Sequence, residues 1–172
     1  MIKIKYCIFT LIIFFNLFNS ANAVVQVSVD RLEQIFKTYL PPQRGIIYTK
    51  VPRGLVISID ERIFFNPYKI KIKESSLPIL DTMSNILKSL PNEFVIEGHT
   101  TESSAEFNSW ELSISRASNL AQYLSIHQKL STNKVTPLGL ANFVPYRYET
   151  QDKSFNTNNR IDFVIIEYEA KR

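Results

Sequence analysis

From Arg53 onward the chain switches repeatedly between two hydrophobic periods, and that switching restricts it to helices laid on a small sheet. RGLVISID, Arg53 to Asp60, sets Leu55, Ile57 and Ile59 at every second position, the pattern of a strand with one buried face. From Ser75 to Leu90 the period becomes helical, with Leu80, Met83, Ile86, Leu87 and Leu90 on one stripe and Pro78 in the first turn. FVIEG, Phe94 to Gly98, reads as a second strand, and a helix follows from about Ser109 to Ile126. A short strand, Val135 to Leu140, comes after the polar STNK connection, and the last strand, Ile161 to Tyr168, is nearly continuous in apolar residues. Strand, helix, strand, helix, strand, strand predicts an α+β two-layer sandwich in which helices cover one face of a small mixed sheet. The loop from Ala141 to Asn159 is long, polar and aromatic, and loops of that length commonly carry function.

One residue breaks the apolar pattern. With Leu112 placed at 0° on a helical wheel, Tyr123, Leu120 and Leu124 fall at about 20°, 80° and 120°, and Arg116 falls inside that arc at about 40°. A guanidinium cannot deprotonate and is costly to bury unpaired, so this position calls for a carboxylate from the protein or from a ligand. Two readings stay open: an internal ion pair or snorkelling side chain, and a binding site. Asn108, three residues before Glu111, forms a capping-box-like start for the helix that opens at Ser109 or Trp110.

The segment GHTTESSAEFNSWELSISRA, residues 98–117, resembles the OmpA-like, peptidoglycan-associated family motif GHTDxxGxxxxNxxLSxxRA. Gly98, His99, Thr100, Leu112, Ser113, Arg116 and Ala117 match it without a gap. The wording NSWELSISRA is closest to the flagellar stator branch of that family. Asn158 to Asp162 (NNRID) is similar to its closing NRRVE signature with one arginine replaced by Asn159, and Gly139 and Pro145 match two further positions. The resemblance runs from about Arg53 to Tyr168 and implies a βαβαββ OmpA-like fold whose strand order comes from the family. It further implies a non-enzymatic domain that binds diaminopimelate-type stem peptides of peptidoglycan. Arg116 would take the ligand carboxylate, and Thr100, Thr101, Ser109 or Asn108, and Arg160 would line one groove with the backbone amides of the HTT turn. Two departures bear on this: the family aspartate falls on Thr101, and the family asparagine falls on Ser109, with Asn108 displaced by one. Loss of one charged hydrogen bond weakens binding by about ten- to a hundredfold unless Glu102, one residue later, substitutes. The alternative is an accessory or structural subunit of an envelope machine such as a secretion system, with murein binding weakened or lost. An Arg116 satisfied within its own chain favours that alternative, and a solvent-open Arg116 facing a groove favours wall binding.

The remaining bounds are simpler. Lys3 and Lys5, the apolar run from Cys7 to Phe18 and the Ala21-Asn22-Ala23 ending predict a cleavable signal peptide over residues 1–23, hence a periplasmic protein. Cys7, the only cysteine, lies within it, so neither a disulfide nor a lipid anchor is expected. Residues 24–52 read as an N-terminal helix capped at Asp30 and ended by Pro41 and Pro42, followed by an extra strand or arm. Those residues form a lid or a docking arm, and 53–172 the OmpA-like domain. Without Lys3 and Lys5 the 20 basic residues fall to 18 against 16 acidic ones, which excludes a nucleic-acid role. YKIKIKE, Tyr68 to Glu74, alternates like an edge strand guarded by lysines. Two histidines, no cysteine beyond Cys7 and no phosphate loop leave no expected metal, cofactor or catalytic constellation. Trp110 is expected to pack against the turn before its helix.

Overall fold

A computed structural model of the chain describes residues 27–41, 45–146 and 158–167. The expected signal peptide with Cys7, and residues 147–157 of the long loop, lie outside the described residues. Five strands form one sheet: β1 (Ile46–Val51), β2 (Gly54–Asp60), β3 (Phe94–His99), β4 (Val135–Ala141) and β5 (Arg160–Ile166), in the order β1-β2-β5-β3-β4. β3 and β4 run parallel and the other neighbours antiparallel, so the sheet is mixed, as expected. β5 occupies the middle, and its near-continuous apolar run is buried on both faces for that reason.

The helices are α1 (Val29–Tyr39), the short α2 (Glu61–Phe64), α3 (Leu77–Ser89) and α4 (Ser109–Gln122), the last running into a π-helical turn at Tyr123–His127. One parity of strand positions, including Leu55, Ile57, Ile59, Ile96, Ile161, Phe163 and Ile165, faces the helices. Leu32, Phe36, Leu80, Met83, Leu120 and Leu124 close over it in a single core. The α+β two-layer reading therefore holds.

Of the extra strand or arm expected before Arg53, a strand forms: β1 is a hairpin partner of β2 along its whole length, and α1 buries Leu32 and Phe36 completely. Two local expectations change. The cap of α1 is Ser28, whose hydroxyl accepts the Arg31 amide, while Asp30 is drawn to Lys50 of β1 at 2.6 Å. Tyr68 to Lys73 is a loop with one isolated bridge, Phe65 to Ile72, and Glu74 opens a short 3-10 turn, so the segment is not a strand. Pro67 removes a ladder donor and Tyr68 takes a left-handed φ of 58°, so the alternating pattern has no extended backbone to act on.

α4 lies on β3 and β4 at backbone contact distance. A Cβ on Gly98 would sit 2.2 Å from the Ser113 carbonyl oxygen, and one on Gly139 would sit 2.6 Å from Cβ of Ile114. This proximity brings the Arg116 turn of α4 down to the level of the sheet. Gly98→Ala therefore has to lift the helix, and we expect a loss of about 1–3 kcal/mol, read as a lowered urea midpoint with an unchanged slope.

Candidate functional site

Arg116 is 1% exposed and ranks among the largest fully buried side chains of the described residues. Its helical phase turns it inward, and the close seat of α4 leaves it no path to snorkel. Partners from three separate segments meet its guanidinium. Nη1 donates to Glu61 Oε2 at 2.5 Å, Nη2 to Glu102 Oε2 at 3.1 Å, and Nε to the Lys69 carbonyl at 2.9 Å. A longer contact runs from Nη2 to the Asn66 carbonyl at 3.4 Å, and the guanidinium carbon stands 5.2 Å from the Phe65 ring centre. Glu102 is also held by the Tyr68 amide at 3.1 Å, so one carboxylate joins α4 to the 66–69 loop.

Two carboxylates serve one cation here. Burial pushes the Glu61 carboxyl up to about 7; Arg116 opposes the rise, and the charges on Glu102 and Asp60 reinforce it. Glu61 thus titrates near neutrality, and Glu102 is the more solvated of the two, its side chain 19% exposed.

The other sequence-predicted residues fall as follows. Thr100 is fully buried; its amide donates to the Ala141 carbonyl, and its hydroxyl accepts the Glu102 amide at 3.1 Å, which sets the turn. Thr101 is exposed, and its amide and hydroxyl both donate to Asn159 Oδ1 at 2.9 and 3.0 Å. Thr101 and Asn159, two of the positions that depart from the family motifs, thus contact each other. Asn108 is the N-cap of α4 in a complete capping box with Glu111, so its side-chain oxygen is committed to the Trp110 and Glu111 amides. Ser109 opens the helix, half-buried. Glu61, Asn66 and Lys69 were not legible as site residues, because their spacing from Arg116 carries no periodic signal and only the chain path brings them in.

Arg160 corrects an expectation. In the strand register Asp60, Arg160 and His99 are opposed, as are Ser58, Asp162 and Glu97, which places these side chains on the sheet face without helices. Arg160 is therefore separated from the Arg116 groove by the sheet itself. It forms a different buried network: Arg160 Nε to Asp162 at 2.9 Å, His99 Nε2 to Asp162 at 3.3 Å, and Arg53 bidentate to Glu97 at 2.7 and 3.0 Å. Burial pushes the His99 pKa down, but hydrogen bonds to Asp162 and Glu97 outweigh it and raise it. Burial likewise pushes Glu97 up, and the His99 and Arg53 hydrogen bonds overcome that and hold it at about 2. Glu97, His99 and Asp162 bring donor atoms within 4.8 Å of one another. Two arginines already supply positive charge there, so the arrangement holds together as an ion network without a metal.

The chain matches the OmpA family over residues 64–159. Among curated proteins it is 30% identical over 118 residues to Motility protein B of Bacillus subtilis (strain 168), covering 66% of this chain and 45% of that one. It is 27% identical over 117 residues to the uncharacterized protein YtxE of the same organism, covering 66% and 48%. The chain spans about half the length of these relatives. Among solved structures it superposes on the cell wall anchor of the T6SS from Pseudomonas aeruginosa with TM-score 0.67 at 17% identity, covering 80% of this chain and 98% of that one. The periplasmic domain of Helicobacter pylori MotB gives 0.64 at 16%, covering 74% and 85%. At these identities the superpositions establish the fold.

Two outcomes test the cluster. Arg116→Met strands two carboxylates and should cost about 3–5 kcal/mol in urea unfolding at neutral pH, with a smaller loss at pH 5, where the carboxyls can protonate. Because the folded pKa of Glu61 is raised, its contribution is full below pH 4.5 and declines as pH rises through about 7. Glu61→Gln should flatten that decline in a stability–pH series.

Proposed function

The chain belongs to the OmpA family, and on that premise we propose that it is a non-enzymatic periplasmic domain serving as an accessory subunit of a cell-envelope assembly, with its murein cleft closed by its own Glu102. The observation that carries this reading is the state of Arg116: 1% exposed, with two carboxylates and two backbone carbonyls already around its guanidinium. A guanidinium already matched by two carboxylates gains little from a third. Thr101 supplies no charge for a ligand ammonium, and its partner Asn159 supplies none either.

A surface suited to protein contact supports the same reading. Trp110 (46% exposed) lies against Phe143 (69% exposed) with ring centres 4.9 Å apart, and Val144, Leu138 and Ile114 are also exposed nearby in the chain path. Ile114 abuts Gly139 on the helix side of the edge strand β4, whereas Leu138, level with Glu97 in the register, is exposed on the other face. Trp110 does not bury itself against the preceding turn, and contiguous apolar surface of this kind marks contact sites on otherwise polar domains. Among the described residues no helix is long and apolar enough to cross a membrane.

Direct peptidoglycan binding is the second reading, favoured by the partial exposure of Glu102, which can swing away and uncover Arg116. Co-sedimentation with diaminopimelate-type sacculi separates the two. We expect the natural protein to pellet weakly and Thr101→Asp combined with Glu102→Ala to pellet at least about tenfold more tightly. Tight pelleting of the natural protein, abolished by Arg116→Gln, overturns the accessory-subunit reading in favour of the second.

A further inference from the structure

Three charged side chains meet at one buried point beside α4, and their charges do not balance. Arg116 brings one positive charge, and Glu61 and Glu102 bring carboxylates to separate arms of its guanidinium, Nη1 and Nη2. Neither carboxylate has a second cationic partner among the described residues. Lys69 enters through its backbone carbonyl and Phe65 through its ring, while Arg62, beside Glu61, is paired with Asp60 at 2.5 Å. Asp60 adds a further negative charge from the residue before α2. The two carboxylates are held unequally. Glu61 is 3% exposed in the first turn of α2, and its amide donates to the Asn159 carbonyl at 3.2 Å. Glu102 lies in the irregular turn after β3, is partly exposed, and uses a single oxygen, Oε2, to accept from both Arg116 and the Tyr68 amide.

We propose that Glu102 is a proton-linked latch, closed over Arg116 while Glu61 carries a proton and released when Glu61 ionises. With Glu61 neutral, Glu102 is the remaining counter-charge of Arg116 among the described residues, and its departure strands a buried cation. With Glu61 ionised, that carboxylate stays on Arg116 and the cation keeps a partner. The cluster then holds two like charges around one cation. Repulsion between them is relieved by moving the carboxylate that already has a path to water, which is Glu102. The burial that pushes Glu61 up to about 7 sets the changeover in the neutral range. A carboxyl raised in this way is better held in its protonated form, so the latch loosens as pH rises through that value. Tyr68 carries the outcome to the surface, because its left-handed backbone (φ 58°) turns its amide to Glu102 while its side chain stands exposed. Release of Glu102 therefore loosens the 66–69 loop from the turn after β3. Such a latch rests on the reading of Glu102 as the group that closes this cleft, and it names what opens it.

Carboxyl carbon and backbone amide shifts of the natural protein, followed from about pH 5 to about pH 9, test the latch. The Tyr68 amide is expected to shift with the midpoint of the Glu61 carboxyl, and Glu61→Gln to abolish that step, leaving Tyr68 at its low-pH position. Glu102→Gln should also abolish the Tyr68 step while Glu61 still titrates, and should move the Glu61 midpoint to lower pH, because the Glu102 charge helps to raise it. Glu102→Gln carries the test if Glu61→Gln fails to fold. A Glu61 carboxyl that does not titrate near neutrality, a Tyr68 amide that stays still while Glu61 titrates, a step that survives in either variant, or a Glu61 midpoint unmoved in Glu102→Gln overturns the proposal. No ligand enters this titration, whereas sacculus pelleting requires one, so the latch and the accessory-subunit reading fail independently.

Discussion

The guanidinium of Arg116 is the joint on which the site end of this molecule is organised. A buried cation that cannot shed its charge must be met wherever the chain can bring oxygen to it, and here three segments far apart in sequence converge to do so. Glu61 comes from the first turn after β2, the Lys69 carbonyl from a loop bent by Pro67 and Tyr68, and Glu102 from the turn after β3. Remove the charge requirement and nothing in the apolar pattern holds the 66–69 loop against α4. Asn119, one turn further along, makes a parallel contact by donating to the Ile70 carbonyl at 2.9 Å, so the loop is stitched to the helix twice.

That joint requires the helix to lie almost on the strands, and two glycines allow it. Gly98 and Gly139 face the backbone or the Cβ of α4 residues at distances no side chain tolerates. The same closeness leaves the Arg116 side chain no route to solvent, and Glu102, anchored through Thr100 and Tyr68, completes its set of partners. Burial of Arg116 is thus a packing consequence as much as an electrostatic one.

The sheet separates two polar systems. On the helix face one cation is balanced by two carboxylates, one of them near neutrality in its titration. On the other face, Glu97 and His99 of β3, Arg160 and Asp162 of β5, and Arg53 just before β2 satisfy one another. Neither system has the nucleophile and base in register that covalent chemistry requires. Both are suited to holding, and the exposed aromatic pair Trp110 and Phe143 at the start of α4 adds a surface suited to contact.

Much of this was legible from residue order. Periodicity located the strands and helices, the Asn108 and Glu111 pair located the start of α4, and the wheel position of Arg116 correctly announced a buried charge, because each of these depends only on neighbours within a turn or two. The motif placed the chain in its family for the same local reason. What occupies Arg116 was not legible, since Glu61 and Lys69 reach it through space from segments whose own patterns advertise nothing. Lys69, Lys71 and Lys73 alternate like a strand, yet a proline and a left-handed tyrosine turn them into a loop. Arg160 shows the division most plainly: its sequence context assigned it to the pocket, and strand pairing put it on the far side of the sheet, because the face a strand residue occupies is decided by register with its neighbours. Residue order sufficed for the long helices, the core strands, the fold class and the presence of a buried arginine, but not for the 68–73 loop or the short α2. Tertiary structure alone decided which charges meet, because ion pairing between distant segments depends on where the chain path delivers them.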